Sequence, residues 1–108
     1  MATVLKRGSP LDAMYLCELQ THALENFVWV CATNQVGTED VDGQKTMFYG
    51  KSCIIHPTGE IKVLASETKP EVINHDLDLE DVAMRRSRYL PFFRARLPGQ
   101  YTKITEDY

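Results

Sequence analysis

The stretch Ala23–Gly37, Ala-Leu-Glu-Asn-Phe-Val-Trp-Val-Cys-Ala-Thr-Asn-Gln-Val-Gly, constrains the fold more than any other part of the chain. It opens polar at Glu25 and Asn26, runs from Phe27 to Thr33 almost wholly apolar or β-branched, and closes on Asn34, Gln35 and Gly37. A half-exposed strand would alternate, so an unbroken run predicts a strand buried on both faces. Glu25-Asn26 then marks the junction where a preceding helix hands over to that strand. Open α/β sheets bind ligands outside their strand ends, which makes Asn34 and Gln35 candidate pocket-rim residues. The competing reading is that they cap the strand and start a turn.

A strand covered on both sides needs layers around it, and 108 residues supply one small domain with a modest core. Hydrophobic residues at 44% and charged residues at 25% are a globular balance. Lys plus Arg is 12 against 15 Asp plus Glu, a net charge of -3 that gives no support to nucleic acid or an anionic membrane as partner. Cys17, Cys31 and Cys53 are odd in number and have no paired spacing, which predicts reduced thiols and a cytoplasmic setting. No apolar run approaches the ~20 residues of a membrane span. The basic N-terminus has no long apolar region behind it, so no secretory signal is expected.

Residues 1–8 read as a loose arm and 9–108 as one domain. Ser9-Pro10-Leu11-Asp12 is a helix start, and the helix runs to about Glu25 with Tyr15, Leu16, Leu19 and Ala23 on its apolar face. Cys17 near Glu18 and His22 offers a thiol–imidazole pair. The orienting third group is missing, so it reads as a helix cysteine and a surface histidine. Thr38–Lys45 reads as a solvated loop, because Glu39, Asp40 and Asp42 lack the ligand ladder of a calcium site. Thr46–Pro57 is strand-like but broken at Gly50, a bulge or close backbone approach. His56-Pro57-Thr58-Gly59-Glu60 is a hairpin turn, returning through Glu60–Ser66 with Ile61, Val63 and Ala65 on one face.

A further strand is expected at Glu71–Asp78. His56 and His75 have no third ligand at a useful spacing, so no metal site is assigned. A second helix starts at the cap Asp78, carries Glu80 and Asp81 early and Arg85, Arg86 and Arg88 late, and stops at Pro91. In the tail, arginines alternate with aromatics. A nucleic-acid patch is one reading; a tail that packs on the sheet or on another subunit is the other, and the acidic total favours it. Arg88, Phe92, Phe93, Arg94 and Arg96 are thus a candidate subunit interface.

Four pieces stand in fixed order. They are Ala-Leu-Glu-Asn with the apolar run and Asn-Gln-Val-Gly; Phe-Tyr-Gly-Lys-Ser with Pro-Thr-Gly-Glu-Ile; Asp-Leu-Asp-Leu-Glu-Asp-Val; and Arg-Tyr-Leu-Pro-Phe-Phe-Arg-Ala-Arg-Leu-Pro-Gly-Gln-Tyr. That order resembles the C-terminal part of the carbon–nitrogen hydrolase (nitrilase) superfamily, in its amidase and N-carbamoyl-amino-acid hydrolase branches. The resemblance implies an α/β fold, a partial αββα sandwich whose mainly antiparallel sheet carries two helices on one face and pairs across a dimer. It also implies a Glu–Lys–Cys set in which the thiol attacks an amide, carbamoyl or nitrile carbon. In family order that set precedes the matched segment. Cys17 sits in a helix, Cys31 in the apolar run and Cys53 in the hairpin, while Lys45, Lys51 and Lys62 fall in other segments, so no catalytic residue is assigned.

What carries over is a pocket rim of Asn34, Gln35 and Tyr49, and Glu25-Asn26 as a structural junction. The implied partners are a small amide or ureido substrate in the full-length enzyme and a second copy or an N-terminal half. No cofactor is implied. The expectation is the C-terminal portion of a thiol-dependent C–N hydrolase, inactive alone. The alternative is a non-catalytic interaction module that uses the arginine–aromatic tail.

Overall fold

In the computed structural model, which describes residues 12–89 and 92–106, the first helix, α1, spans Asp12–Asn26. The expected arm at 1–8, the Ser9-Pro10 start and the Pro91 stop lie outside the described residues. Tyr15, Leu16 and Leu19 are half-buried and Ala23 is fully buried, the stripe that i, i+4 spacing predicts. The helix ends where Phe27 turns left-handed, φ 47, and the Val28 N–H donates to the Ala23 carbonyl at 3.1 Å. This six-to-one bond closes a Schellman end, with a buried phenylalanine where glycine is usual. Asn26 Nδ2 donates to the His22 carbonyl at 3.0 Å, satisfying a second acceptor of the last turn. Glu25 and Asn26 are therefore the end of the helix itself.

The expected strand at Phe27–Thr33 shrinks to β1, Val30–Ala32. The helix cap uses Phe27, and the ladder can be no longer than its antiparallel partner, the three-residue β4, Cys53–Ile55. Nor is β1 central or covered on both sides. The sheet order is β1-β4-β5, which puts β1 at an edge, and Cys31 is exposed while Val30 and Ala32 pack toward the core.

The expected loop at Thr38–Lys45 is also corrected. Val36–Val41 (β2) and Gln44–Tyr49 (β3) form a separate two-stranded antiparallel sheet, in register from Val36↔Tyr49 to Val41↔Gln44. The turn between them is Asp42-Gly43, with φ of 52 and 80, and the Gly43 N–H donates to Asp40 Oδ1 at 3.0 Å. Two consecutive positive φ values are what a two-residue hairpin needs, because that turn twists with the strands. Among the described residues no group of three acidic, histidine or cysteine side chains is placed to hold a metal.

The expected hairpin is present. β4 turns through Pro57–Gly59 into β5, Ile61–Leu64, with His56 N–H to Glu60 O at 2.8 Å and Gly59 N–H to His56 O at 2.8 Å. Gln20 of α1 donates from Nε2 to the Gly59 carbonyl at 2.7 Å and ties the turn to the helix. The register shifts inside this pair: Ile54 opposes Val63 but Ile55 opposes Ile61, leaving Lys62 as the extra residue. Opposed side chains share a face, so Ile61 and Val63 fall on opposite faces rather than on one. Ile61 joins Leu16, Leu19, Val30 and Ala32 around the buried centre of Ala23, Cys53 and Ile55.

The strand expected at Glu71–Asp78 does not form. Ser66 Oγ accepts from the N–H groups of Thr68 and Lys69, each at 3.1 Å, and its own N–H donates to the Glu71 carboxylate. These bonds turn the chain, and Pro70 has no N–H to give a ladder. Residues 71–78 are exposed apart from half-buried Ile73.

The first unit ends at Asp78 and a second begins at Leu79. Within the second, α2 (Leu79–Arg88) has Glu80 and Asp81 in its first turn, Arg85, Arg86 and Arg88 in its last, and no buried residue. Arg85 Nε meets Asp81 Oδ2 at 2.6 Å, one turn apart. A short α3, Phe92–Ala95, and 3₁₀ turns at Pro98–Gln100 and Thr102–Thr105 follow. The architecture is thus a mix of helices and antiparallel sheets. The helix set on the sheet of the first unit is α1, and α2 belongs to the second unit. No helix among the described residues is long and apolar enough to cross a membrane.

Candidate functional site

The end of β1 is held by side chains rather than by ladder bonds. The Asn34 N–H donates to Ser52 Oγ at 2.9 Å, and Ser52 Oγ lies 3.3 Å from the Asn34 carbonyl that it donates to. Asn34 Nδ2 donates to the Gly50 carbonyl at 2.9 Å, and Oδ1 accepts from the Gln35 N–H at 2.9 Å. Gly50 N–H returns to the Gln35 carbonyl at 3.0 Å. Asn34 therefore clasps the passage from β1 to β2 against the passage from β3 to β4. Its amide does the work of a turn cap, while Gln35 beside it is exposed.

Gly50 and Lys51 both lie left-handed, φ 60 and 59. The Lys51 N–H donates to Ser66 O at 3.2 Å, and its side chain meets Glu67 Oε1 at 3.2 Å and stands 6.0 Å over the Tyr49 ring. The Tyr49 ring itself is 1% exposed and packs edge-on against Tyr15, centroids 5.5 Å apart. Of the three rim residues, Asn34 and Gln35 sit at the strand end, and Tyr49 faces the interior of this unit. Ser52 and Lys51 are the members that the sequence reasoning missed. Their contacts span 15 residues or more, from Lys51 to Ser66 and from Asn34 to Ser52, and no local period reports such a contact.

Burial, then the neighbouring Cys53 and Tyr49, push the Tyr15 phenol up to about 12. The folded chain thus holds this proton more tightly than the unfolded chain, whose tyrosines titrate near ~10. That stabilisation is fully present below about pH 10 and is lost as pH rises through about 12. The urea midpoint should therefore fall over this range, and Tyr15→Phe should flatten the fall; equal slopes for both proteins would refute the assignment.

The three cysteines are free thiols, Cys17 and Cys31 exposed and Cys53 buried. Burial, and next the neighbouring Cys31, push the Cys53 thiol up, away from the thiolate a nucleophile needs. Lys45 is exposed on β3, and Lys62 pairs with Glu60 at 2.6 Å. His22 and Glu18 lie 4.0 Å apart on the outer face of α1. His56 and His75 do come together, but on the Trp29 ring. In the tail Arg88, Arg94 and Arg96 are exposed; the side chains of Phe92 and Phe93 lie outside the described residues.

The strand-end clasp, the Pro-Thr-Gly hairpin and all but the last residue of the helix after Asp78 fall within residues 3–87, which match the family model for carbon-nitrogen hydrolase. The chain belongs to the carbon–nitrogen hydrolase family. The match starts inside the stretch read as a loose arm and ends within α2. A probable nitrilase of Schizosaccharomyces pombe is 36% identical over 85 residues, 79% of this chain and 30% of that protein. The N-carbamoylputrescine amidase of Oryza sativa subsp. japonica is 37% identical over 87 residues, 77% of this chain and 29% of that protein. The chain therefore spans less than a third of the length of these two curated relatives, at 30% and 29%. In structure it is similar to a carbon-nitrogen hydrolase of Helicobacter pylori, with TM-score 0.76 and 24% identity over 99% of this chain and 39% of that one. At that identity the likeness shows a carbon–nitrogen hydrolase fold and nothing finer.

Proposed function

We propose that this chain supplies the C-terminal portion of a thiol-dependent carbon–nitrogen hydrolase acting on a non-peptide amide or N-carbamoyl compound, and that it does not turn over substrate alone. In this reading a Glu–Lys–Cys set outside these residues does the chemistry. The thiolate adds to the carbonyl carbon, the C–N bond breaks as the glutamate protonates the departing nitrogen, and water then cleaves the acyl-enzyme. This chain contributes the strand end braced by Asn34 and Ser52, with Gln35 exposed beside it.

The observation that carries the reading is the family match over residues 3–87 together with the state of the thiols. Cys53 is buried in the centre of the core and held toward its protonated form, and Cys31 lies within β1. The N-carbamoyl substrate class is taken from the names of the amidase relatives. Three free thiols support a reducing, cytoplasmic setting. The exposed Arg88, Arg94 and Arg96 support a tail that meets a second subunit.

The test is ammonia release from amides, ureido acids and nitriles by the purified chain, with and without thiol alkylation. The expected result is no release above background in either arm. Turnover that alkylation abolishes would overturn the reading and return Cys17 or Cys31 to candidacy as nucleophile.

A further inference from the structure

The two units of the chain are opposite in charge. Residues 1–78 hold six Lys and Arg against eleven Asp and Glu, and residues 79–108 hold six against four. The second unit also has little of the burial that keeps short helices formed. α2 has ten residues and none of them is buried, while an isolated helix needs about 12–15 residues to persist in water. Arg88 at the end of α2 and Arg94 in α3 are exposed, and so are Tyr89 and Leu97 near them. A basic segment with bare apolar side chains is complemented by an acidic surface with apolar side chains of its own.

The first unit has such a surface on the β2–β3 hairpin. Opposed residues share a face, and the register sets Glu39 across from Thr46 and Val41 across from Gln44, all four on one face. Lys45, the hairpin's one cation, stands across from Asp40 and therefore on the other face. Glu39 is thus uncompensated on its own face, exposed next to Val41, itself 58% exposed. Asp42 adds a second negative charge at the turn. Carboxylates of the other hairpin and the loop after it have cations beside them, Lys62 on Glu60 at 2.6 Å and Lys51 on Glu67 at 3.2 Å.

We propose that the second unit of one copy docks on the Glu39–Val41 face of the hairpin of a second copy. Arg88 and Arg94 meet Glu39 and Asp42, and the exposed apolar side chains of the tail cover Val41. In a two-fold pair each copy gives one tail and receives the other, so the contact is made twice. The inference rests on the reading above that the tail meets a second subunit, and adds the surface that receives it.

The test exchanges the charges in the full chain. A tail variant carries Arg88→Glu with Arg94→Glu, and a hairpin variant carries Glu39→Lys with Gln44→Lys, all at exposed positions. Sedimentation velocity is run on wild type, on each variant and on an equimolar mixture of the two, with each fold checked by circular dichroism. Each variant alone sets like charge against like at both contacts. It should associate roughly tenfold more weakly than wild type, the scale of a few exposed charge pairs lost together. In the mixture the acidic tail meets the basic hairpin and the basic tail meets the acidic hairpin, so association should return. A single chain with all four substitutions keeps the charges complementary and should also associate as wild type does. A monomeric wild type, variants that associate like wild type, or a mixture no better than its parts would overturn the proposal. So would a tail docked on its own hairpin, which leaves the mass of every sample unchanged. If the tail variant weakens association and the hairpin variant does not, the tail still meets a second subunit, and this proposal alone is overturned.

Discussion

Gly50→Ala is expected to remove a large share of the stability of the first unit. A Cβ at this position would stand 2.4 Å from the Ser66 carbonyl oxygen and 2.8 Å from Val36 Cγ1, with Glu67 C at 3.2 Å. The first and third are backbone atoms that cannot swing aside. Ser66 O accepts from Lys51, and Gly50 offers its own carbonyl to Asn34. A shift large enough to admit a methyl group therefore breaks the clasp at the end of β1. The backbone adds to this, because φ is 60 and a left-handed residue with a Cβ costs about 1–2 kcal/mol. Overpacking against fixed neighbours costs about 1–3 kcal/mol more. The sum, roughly 2–5 kcal/mol, is a large share of the 5–15 kcal/mol that holds a typical domain folded. Gly43→Ala is the control: φ is 80 there, but nothing lies within 4 Å of the added Cβ. Urea unfolding followed by circular dichroism should show Gly43→Ala losing only the conformational part. Equal losses at the two sites would mean that the close approach at Gly50 is not what the fold depends on.

The break at Gly50 was legible in the sequence because glycine inside a strand pattern has few uses. The 56–60 hairpin was legible for a similar reason: proline and glycine each stand where one turn geometry wants them. The apolar stripe of α1 was legible because period and packing agree there. The β2–β3 hairpin was missed although Asp42-Gly43 is a strong hairpin signal. The acidic run around it, Glu39-Asp40 and Asp42, drew the reading toward a solvated loop. The Phe27–Thr33 run looked like a long buried strand because composition does not reveal where a helix end will consume a residue, as Phe27 shows. Alternation at Glu71–Asp78 met the strand pattern, but a strand also needs a partner, and the Ser66 turn takes the chain away from one.

In the candidate site, the turn-forming role of Asn34 was one of two readings of Asn34-Gln35, and the hydrogen bonds of its amide fill that role. Its partners Ser52 and Gly50 stand 18 and 16 residues away, beyond the reach of any local pattern. The same holds for the meeting of His56 and His75. Their sequence spacing argued only against a metal, and it took the indole of Trp29, placed by the Schellman end of α1, to bring them together.

The purified chain is expected not to persist as a monomer. Among the described residues the buried apolar set is Ala23, Phe27, Phe48, Tyr49, Cys53, Ile54 and Ile55, a small core for a 12.3 kDa chain. One side of the three-stranded sheet has α1 against Cys53 and Ile55. On the other side Cys31 is exposed at the β1 edge, opposite Ile54 and next in line to a half-buried Val63. The second sheet has only two strands, so both are edges, and Val41 and Met47 on them are 58% and 48% exposed. A two-stranded sheet is marginal alone in water, and open edges with apolar side chains pair with whatever edge they meet. Val72 at 94% and Leu64 at 49% exposure add to an apolar surface of the kind soluble monomers keep to a few hundred Å². In a carbon–nitrogen hydrolase sandwich a second sheet would lie about 10 Å away and take up such a face. Sedimentation velocity at micromolar concentration should show association or loss to aggregates, and an apolar dye should bind. Placing a charge on the hairpin, Val41→Lys with Met47→Lys, should shift the distribution toward monomer, since edge lysines oppose pairing. A sharp 12.3 kDa species that unfolds cooperatively and binds no dye would refute the expectation, and would weaken the proposal that these residues work as one part of a larger hydrolase.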